Sequence, residues 1–179
     1  MTRKYKVGID ADGVLYDLVT PWLNQYNKIA GTKLQLNDIT EYDITKFVQS
    51  PEALFYILET EQFWDEIKPY DGVNEALDLL NQCNNVDYYI VSHTFAKTAT
   101  IKFRKIFDML PILNDEQLIL TKHKELINLD FLIDDYPENI KQTNGVGILI
   151  DQPYNQYHQI ILRQPDLLSA VKFIISSIN

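Results

Sequence analysis

The stretch "VGIDADGVLYDL", residues 7–18, decides how the rest of the chain is read: an apolar strand runs into Asp10, Asp12 and Asp17. Carboxylates this close repel one another, and burying them unpaired costs several kcal/mol. A strand that ends on such a group calls for a positive charge that the strand itself does not carry. Gly13 follows at once, and glycine permits the tight backbone path that a turn there needs.

Working outward, "YKVGID" (5–10), "VDYYIV" (86–91), "LIL" (118–120), "FLI" (131–133) and "VGILI" (146–150) are further apolar or β-branched runs. Their near-continuous apolar character suits strands buried on both faces of a parallel sheet. Helical spacing separates several of them. Val73, Ala76, Leu77 and Leu80 form one face, and Ile101, Phe103, Ile106, Phe107 and Leu110 form another before Pro111. Leu168, Val171, Ile174 and Ile175 form a third, with Pro165 placed in the first turn. Strands alternating with helices predict an α/β fold with a doubly wound parallel sheet.

Between Asp17 and Asp71 the strand pattern stops, and helical pieces replace it: "TPWLNQYNKIAG", "SPEALFYILET" and "TEQFWDEI". A structureless loop of that length is rare inside a compact domain. Residues 17–72 are therefore expected to be a small inserted helical cap, with residues 1–16 and 73–179 forming the catalytic core domain. Asp17 is read as leading into the first cap helix, because acids favour helix N-termini.

The 179 residues, 46% of them hydrophobic, suffice for one well-buried core. A net charge of -9 argues against gripping a nucleic acid polymer or an anionic membrane. Cys83 stands alone, so no intrachain disulfide forms, and it is expected as a small buried residue on a helix. No apolar run approaches the roughly 18 residues of a membrane span. The protein is expected to be soluble and cytoplasmic, and a homodimer is compatible with this composition.

Ligands of open parallel sheets bind beyond the carboxyl ends of the strands. Asp10, Ser92, Lys124 and the pair Asp134–Asp135 each follow a different strand, so one sheet edge would gather them all. A single aspartate after a strand is commonly a turn former. Several converging there call for a hard divalent cation, and magnesium accepts a few carboxylates, retained waters and a substrate phosphate. His93, His123 and His158 share no metal-ligand spacing. The chain has no Walker-type glycine loop, no Gly-x-Ser-x-Gly elbow and no Cys-x-x-Cys pair.

These segments carry a resemblance. "IDADGVLYD" resembles the first motif of the haloacid dehalogenase superfamily of aspartate-nucleophile phosphatases, "YIVS" its second and "FLIDD" its fourth. Within that superfamily, "DADGVLYDL", "LTKHKELINLDFLIDD" and "GILIDQPYN" resemble the 5'(3')-deoxyribonucleotidases of bacteria and phages, over nearly the whole chain.

The resemblance implies a magnesium-dependent phosphomonoesterase acting on nucleoside monophosphates through a phosphoaspartate. It makes Asp10 the nucleophile and Asp12 the general acid and base. Asp10, Asp134 and the main-chain carbonyl of Asp12 would hold the metal, with Asp135 orienting the ligand shell. The bridging lysine of that family lies ten residues before the first acid of the fourth motif, which gives Lys124, with Lys122 the other lysine in reach. Ser92 would bind a phosphoryl oxygen; alternatively it only ends a strand while Thr94 caps the next helix. Phe63 and Trp64 match a segment lining the base pocket, or else they anchor a cap helix to its neighbours. Leu18 stands where the mammalian enzymes have an aromatic residue.

"DQPYN" resembles a segment that closes over the site, although Asp151, Pro153 and Asn155 also suit an ordinary turn. The same chemistry on another small phosphate ester, such as a sugar phosphate, is the alternative enzyme. A phosphoacceptor signalling domain fits less well, because it has no long insert after the first strand.

Overall fold

The computed structural model describes residues 3–178. Residues 1, 2 and 179, counted in the expected core domain, lie outside the described residues. Six strands form one sheet: β1 (Tyr5–Ile9), β2 (Val86–Ser92), β3 (Leu118–Leu120), β4 (Phe131–Asp134), β5 (Val146–Ile150) and β6 (Arg163–Gln164). All pairings are parallel, in the order β3-β2-β1-β4-β5-β6. β1 lies inside the sheet, with Val7 and Ile9 fully buried, which explains its unbroken apolar character. The chain builds outward from β1 in both directions, so a crevice opens where the carboxyl ends of β1 and β4 lie side by side.

Three helices, α1 (Val19–Ala30), α2 (Pro51–Ile57) and α3 (Glu61–Asp65), follow β1. α4 (Val73–Gln82) then leads to β2, and α5 (Ala99–Met109), α6 (Pro137–Gln142) and α7 (Leu167–Ile178) complete the helices. Asp17 supplies an oxygen to the Thr20 N–H at 3.0 Å, satisfying a free donor at the start of α1. Gly31 ends that helix in the left-handed region at φ 68°. α1 turns Trp22, Leu23 and Tyr26 inward. The Trp22 indole donates to the Leu54 carbonyl at 2.6 Å, and the Tyr26 hydroxyl accepts from the Gln49 and Ser50 N–H groups. Leu23, Tyr26, Leu54, Phe63 and Trp64 belong to the same buried cluster as Val7, Ile9, Ile90 and Ile133. One core therefore runs from the sheet into the helical insert.

Several local expectations need correction. α7 starts at Leu167, not at Pro165, because the Asp166 carboxylate accepts the Ser169 N–H at 2.7 Å and is the better cap. α5 packs Ile101, Ile106 and Phe107, with Leu110 at its end, against the core as expected, but Phe103 is 38% exposed and Lys102 is buried instead. Cys83 lies just past α4 and is half-buried, because α4 ends at Gln82. α6 and the two-residue β6 have no counterpart in the sequence reading. Among the described residues no helix is long and apolar enough to cross a membrane.

A core shared between sheet and insert predicts one cooperative unfolding transition. Both tryptophans, Trp22 and Trp64, lie in the insert, so their fluorescence reports that part alone. The fluorescence and far-UV circular dichroism melts are expected to coincide. Leu54→Ala should lower stability by about 2–5 kcal/mol and move both curves together.

Candidate active site

Asp10 follows β1 directly, and its N–H donates to the Ile133 carbonyl of β4 at 2.9 Å. This bond fixes the aspartate at the crevice. Asp134 is the last residue of β4, fully buried, on the neighbouring strand. Lys124 begins a short turn after β3 and reaches across, with Nζ 2.6 Å from Asp10 Oδ1 and 2.7 Å from Asp134 Oδ2. Asp134 also accepts the Tyr136 N–H at 2.8 Å and the Asn139 amide at 2.9 Å, so both its oxygens are occupied.

Asp135 differs. Its Oδ2 accepts the Tyr154 hydroxyl, while its Oδ1 is buried with no partner among the described residues. The Ser92 hydroxyl, at the carboxyl end of β2, is likewise buried without a partner. Carboxylate oxygens of Asp10, Asp134 and Asp135 lie within 4.8 Å of one another. Three carboxylates thus share one ammonium.

The electrostatic consequence is one-sided. Desolvation pushes the Asp10 carboxyl from its ordinary 3.8 up to about 7, and Asp134 and Asp12 add to this against the pull of Lys124. Desolvation, then repulsion from Asp10 and Asp134, holds Asp135 well above the usual carboxylate range. Burial alone would lower the Lys124 pKa, yet Asp10 and Asp134 outweigh it and raise it. Oxygen donors, surplus negative charge and an orphaned carboxylate oxygen fit a hard divalent cation.

Asp10 and Asp134, the two expected carboxylate ligands, both stand in this cluster, whereas Asp12 is expected to offer only its main-chain carbonyl. Asp135 is in the trio. The Asp12 carboxylate turns away from it, accepting Lys102 Nζ at 2.6 Å and the Tyr16 hydroxyl at 2.8 Å. Lys124 is buried and Lys122 exposed. Thr94 pairs with the Thr98 hydroxyl at 2.9 Å and does not cap α5, which begins at Ala99.

The turn after β1 is shaped by Gly13, at φ 74°. A Cβ there would stand 2.2 Å from Asp135 Oδ2 and 2.7 Å from the Tyr154 hydroxyl, so only glycine fits. The segment 151–155 braces this turn. Gln152 donates its amide to the Gly13 carbonyl at 2.8 Å, and Asn155 donates to the Asp135 and Ile150 carbonyls, each at 2.8 Å. The sequence left open whether this segment closes over the site or forms an ordinary turn, because its buried partners are remote in the chain.

Beside the carboxylates lies a cavity of about 210 Å³. Asp12, Asp135 and Lys102 line its polar end, and Leu18, Trp22, Phe55, Trp64 and Phe95 are among its apolar walls. Trp64 keeps its place through an indole bond to the Leu58 carbonyl at 2.8 Å. Phe63 does not line the cavity; it is fully buried behind, edge-on to Trp64 with ring centres 5.4 Å apart. His93 also faces the cavity, its pKa lowered by desolvation and then by Lys102 and Lys122. Sequence reasoning missed Trp22, Phe55, Phe95 and Lys102. The available signal for Lys102 was its spacing of four from Thr98 and Ile106, both buried.

A family model described as "5' nucleotidase, deoxy (Pyrimidine), cytosolic type C protein" matches residues 3–177. A 5'(3')-deoxyribonucleotidase of Clostridium acetobutylicum is 32% identical over 171 residues, covering 94% of this chain and 93% of the relative. A solved Burkholderia xenovorans protein described as haloacid dehalogenase-like shares the fold, with TM-score 0.65, 14% identity and 99% of each chain covered. YfnB of Bacillus subtilis, solved bound to magnesium, superposes with TM-score 0.58 at 10% identity, over 96% of this chain and 99% of its own.

The raised Asp10 pKa carries a stability consequence. Between the ordinary 3.8 and about 7 the folded chain holds a proton that the unfolded chain has released, so stability falls as pH rises across that window. In EDTA the melting temperature should therefore be lower at about pH 7.5 than at about pH 5.5, and Asp10→Asn should flatten the difference. Millimolar magnesium should raise the melting temperature most at the higher pH. A wild-type melt indifferent to magnesium would contradict the cation site.

Proposed function

Because the chain belongs to the 5' nucleotidase, deoxy (pyrimidine), cytosolic type C protein family, we propose that it is a magnesium-dependent phosphomonoesterase. Its substrates are deoxyribonucleoside monophosphates, and the reaction passes through a phosphoaspartate on Asp10. The observation that carries this reading is the juxtaposition of a buried Asp10–Lys124 pair, a partnerless Asp135 oxygen and an aromatic-walled cavity. A reducing, cytoplasmic setting agrees with the lone Cys83.

Asp10, Asp135 and the main-chain carbonyl of Asp12 are the groups that would hold the cation, since the Asp134 oxygens are already engaged by Lys124, Tyr136 and Asn139. Bound there, magnesium supplies the positive charge that lets an anionic nucleophile approach a phosphate dianion. An Asp10 oxygen attacks phosphorus and the bond to the nucleoside oxygen breaks. Asp12 gives its proton to that oxygen, then takes one from the water that releases phosphate from Asp10. Lys124 keeps the Asp10 carboxylate aimed at the crevice, and its charge favours the incoming phosphate. The Ser92 hydroxyl, with no partner among the described residues, donates to a phosphoryl oxygen.

Residues 17–72 act as the cap that reads the leaving group. Trp22, Phe55, Trp64 and Phe95 offer faces and edges to a base, where stacking contributes about 1–3 kcal/mol per base. A sugar phosphate would place hydroxyl groups against these apolar walls and leave them poorly satisfied. That favours a nucleotide over the sugar-phosphate alternative.

Phosphate release from dTMP, dUMP, dGMP and glucose 6-phosphate, with and without magnesium, tests the proposal. Turnover of the nucleotides with magnesium is expected, with a loss of more than about 1,000-fold in Asp10→Asn. Hydrolysis of the sugar phosphate alone, or full activity of Asp10→Asn, would refute it.

A further inference from the structure

We infer that Lys102 is a positioning residue: it holds the Asp12 carboxyl group where that group can deliver a proton to the leaving oxygen. The inference rests on the reading of Asp12 as general acid and base. Lys102 projects from α5 with its side chain 3% exposed, and its ammonium contacts Asp12 Oδ2 at 2.6 Å. The same ammonium donates to the His93 carbonyl at 2.8 Å. On the other side, the fully buried Tyr16 hydroxyl donates to Asp12 Oδ1 at 2.8 Å. Donors from two separate segments therefore grip both Asp12 oxygens, while the Asp12 side chain remains 28% exposed and lines the cavity.

The placement of the lysine is costly unless the pair has a use. Thr98, Ile106 and Leu110, its neighbours at fourfold spacing, are all buried, so the face of α5 that carries Lys102 points into the protein. A methionine or leucine would fill such a position without bringing an ammonium out of water. The bond to His93 adds a second constraint, because His93 directly follows Ser92. One ammonium thus ties the backbone beside the phosphoryl-binding hydroxyl to the group that handles the proton.

The step it serves balances as follows. Asp10 oxygen bonds to phosphorus, the bond from phosphorus to the ester oxygen breaks, and its electron pair stays on that oxygen, which takes the Asp12 proton. A nucleoside alkoxide needs the proton, whereas p-nitrophenolate is stable without it. A misplaced Asp12 therefore harms the first ester far more than the second. A lysine that served only to hold α5 in place would affect both equally.

The test compares kcat/KM for dTMP and p-nitrophenyl phosphate in wild type and Lys102→Met, with magnesium present and folding checked by circular dichroism. kcat/KM reports the steps up to departure of the leaving group, so the shared hydrolysis of the phosphoaspartate does not mask the difference. For dTMP a loss of about 100-fold is expected, carried by kcat, and for p-nitrophenyl phosphate a loss below about fivefold. An equal fall on both esters, or no fall on dTMP, overturns the role of Lys102. Should Lys102→Met not fold, Lys102→Gln, which keeps a donor on a similar stem, is held to the same comparison with a smaller loss. Wild-type turnover of both esters and its loss in Asp10→Asn check the phosphatase reading separately.

Discussion

Three buried carboxylates gathered around one ammonium, which cannot neutralise them all, form the constraint on which this structure depends. Asp10, Asp134 and Asp135 converge at the crevice between β1 and β4, and Lys124 compensates only part of their charge. A core of apolar side chains gains nothing from such a group, so its surroundings must hold it together. Backbone pairing sets Asp10 against Ile133, the Tyr136 and Asn139 donors engage Asp134, and Tyr154 and Asn155 steady Asp135. Gly13 lets the turn come close enough for these contacts. The fold stores an electrostatic conflict at its switch point, a surplus of negative charge that a bound cation would turn from cost to affinity.

Much of this was legible in the chain itself. Strands buried on both faces leave continuous apolar runs, so five of the six strands announced themselves, and the polar residues that end them followed. β6 did not, because two residues carry no periodicity. The pair Asp134–Asp135 shows where pattern reading stops. Successive residues leave a strand on opposite sides. Which one meets Lys124 and which one keeps an open oxygen depends on the residue at which the strand ends, and no spacing reveals that. The same geometry separates Phe63 from Trp64. Neighbours on a helix point about 100° apart, so one ring lines the cavity while the other is buried behind it.

Lys102 and the aromatic walls were hidden for a different reason. A lysine inside an otherwise apolar pattern reads as an exposed interruption, since lysines are rarely buried unless paired. Its partner, Asp12, lies 90 residues away, and only the packing of α5 against the turn after β1 joins them. Trp22, Phe55 and Phe95 come from three segments and meet through ring contacts of 5.9 Å and 5.3 Å, which no local window contains.

The two ends of the cavity are built on different physical terms. At the polar end, Asp10, Asp134 and Asp135 are tied by hydrogen bonds to strand termini and to a braced turn. Apolar walls come mostly from the insert, whose helices share the main core, and α3 meets α5 through Arg104–Glu61 and Lys105–Asp65. Such surface pairs contribute at most about 1 kcal/mol each, so the shared core carries the docking. Tyr42 of the insert stacks on Tyr136 at 3.9 Å and meets Tyr154 edge-on. Through Tyr154 that contact touches the Asp135 carboxylate. Trp64 likewise packs edge-on against Tyr16, whose hydroxyl bonds Asp12, so the apolar walls are mechanically joined to the carboxylates at the sheet edge.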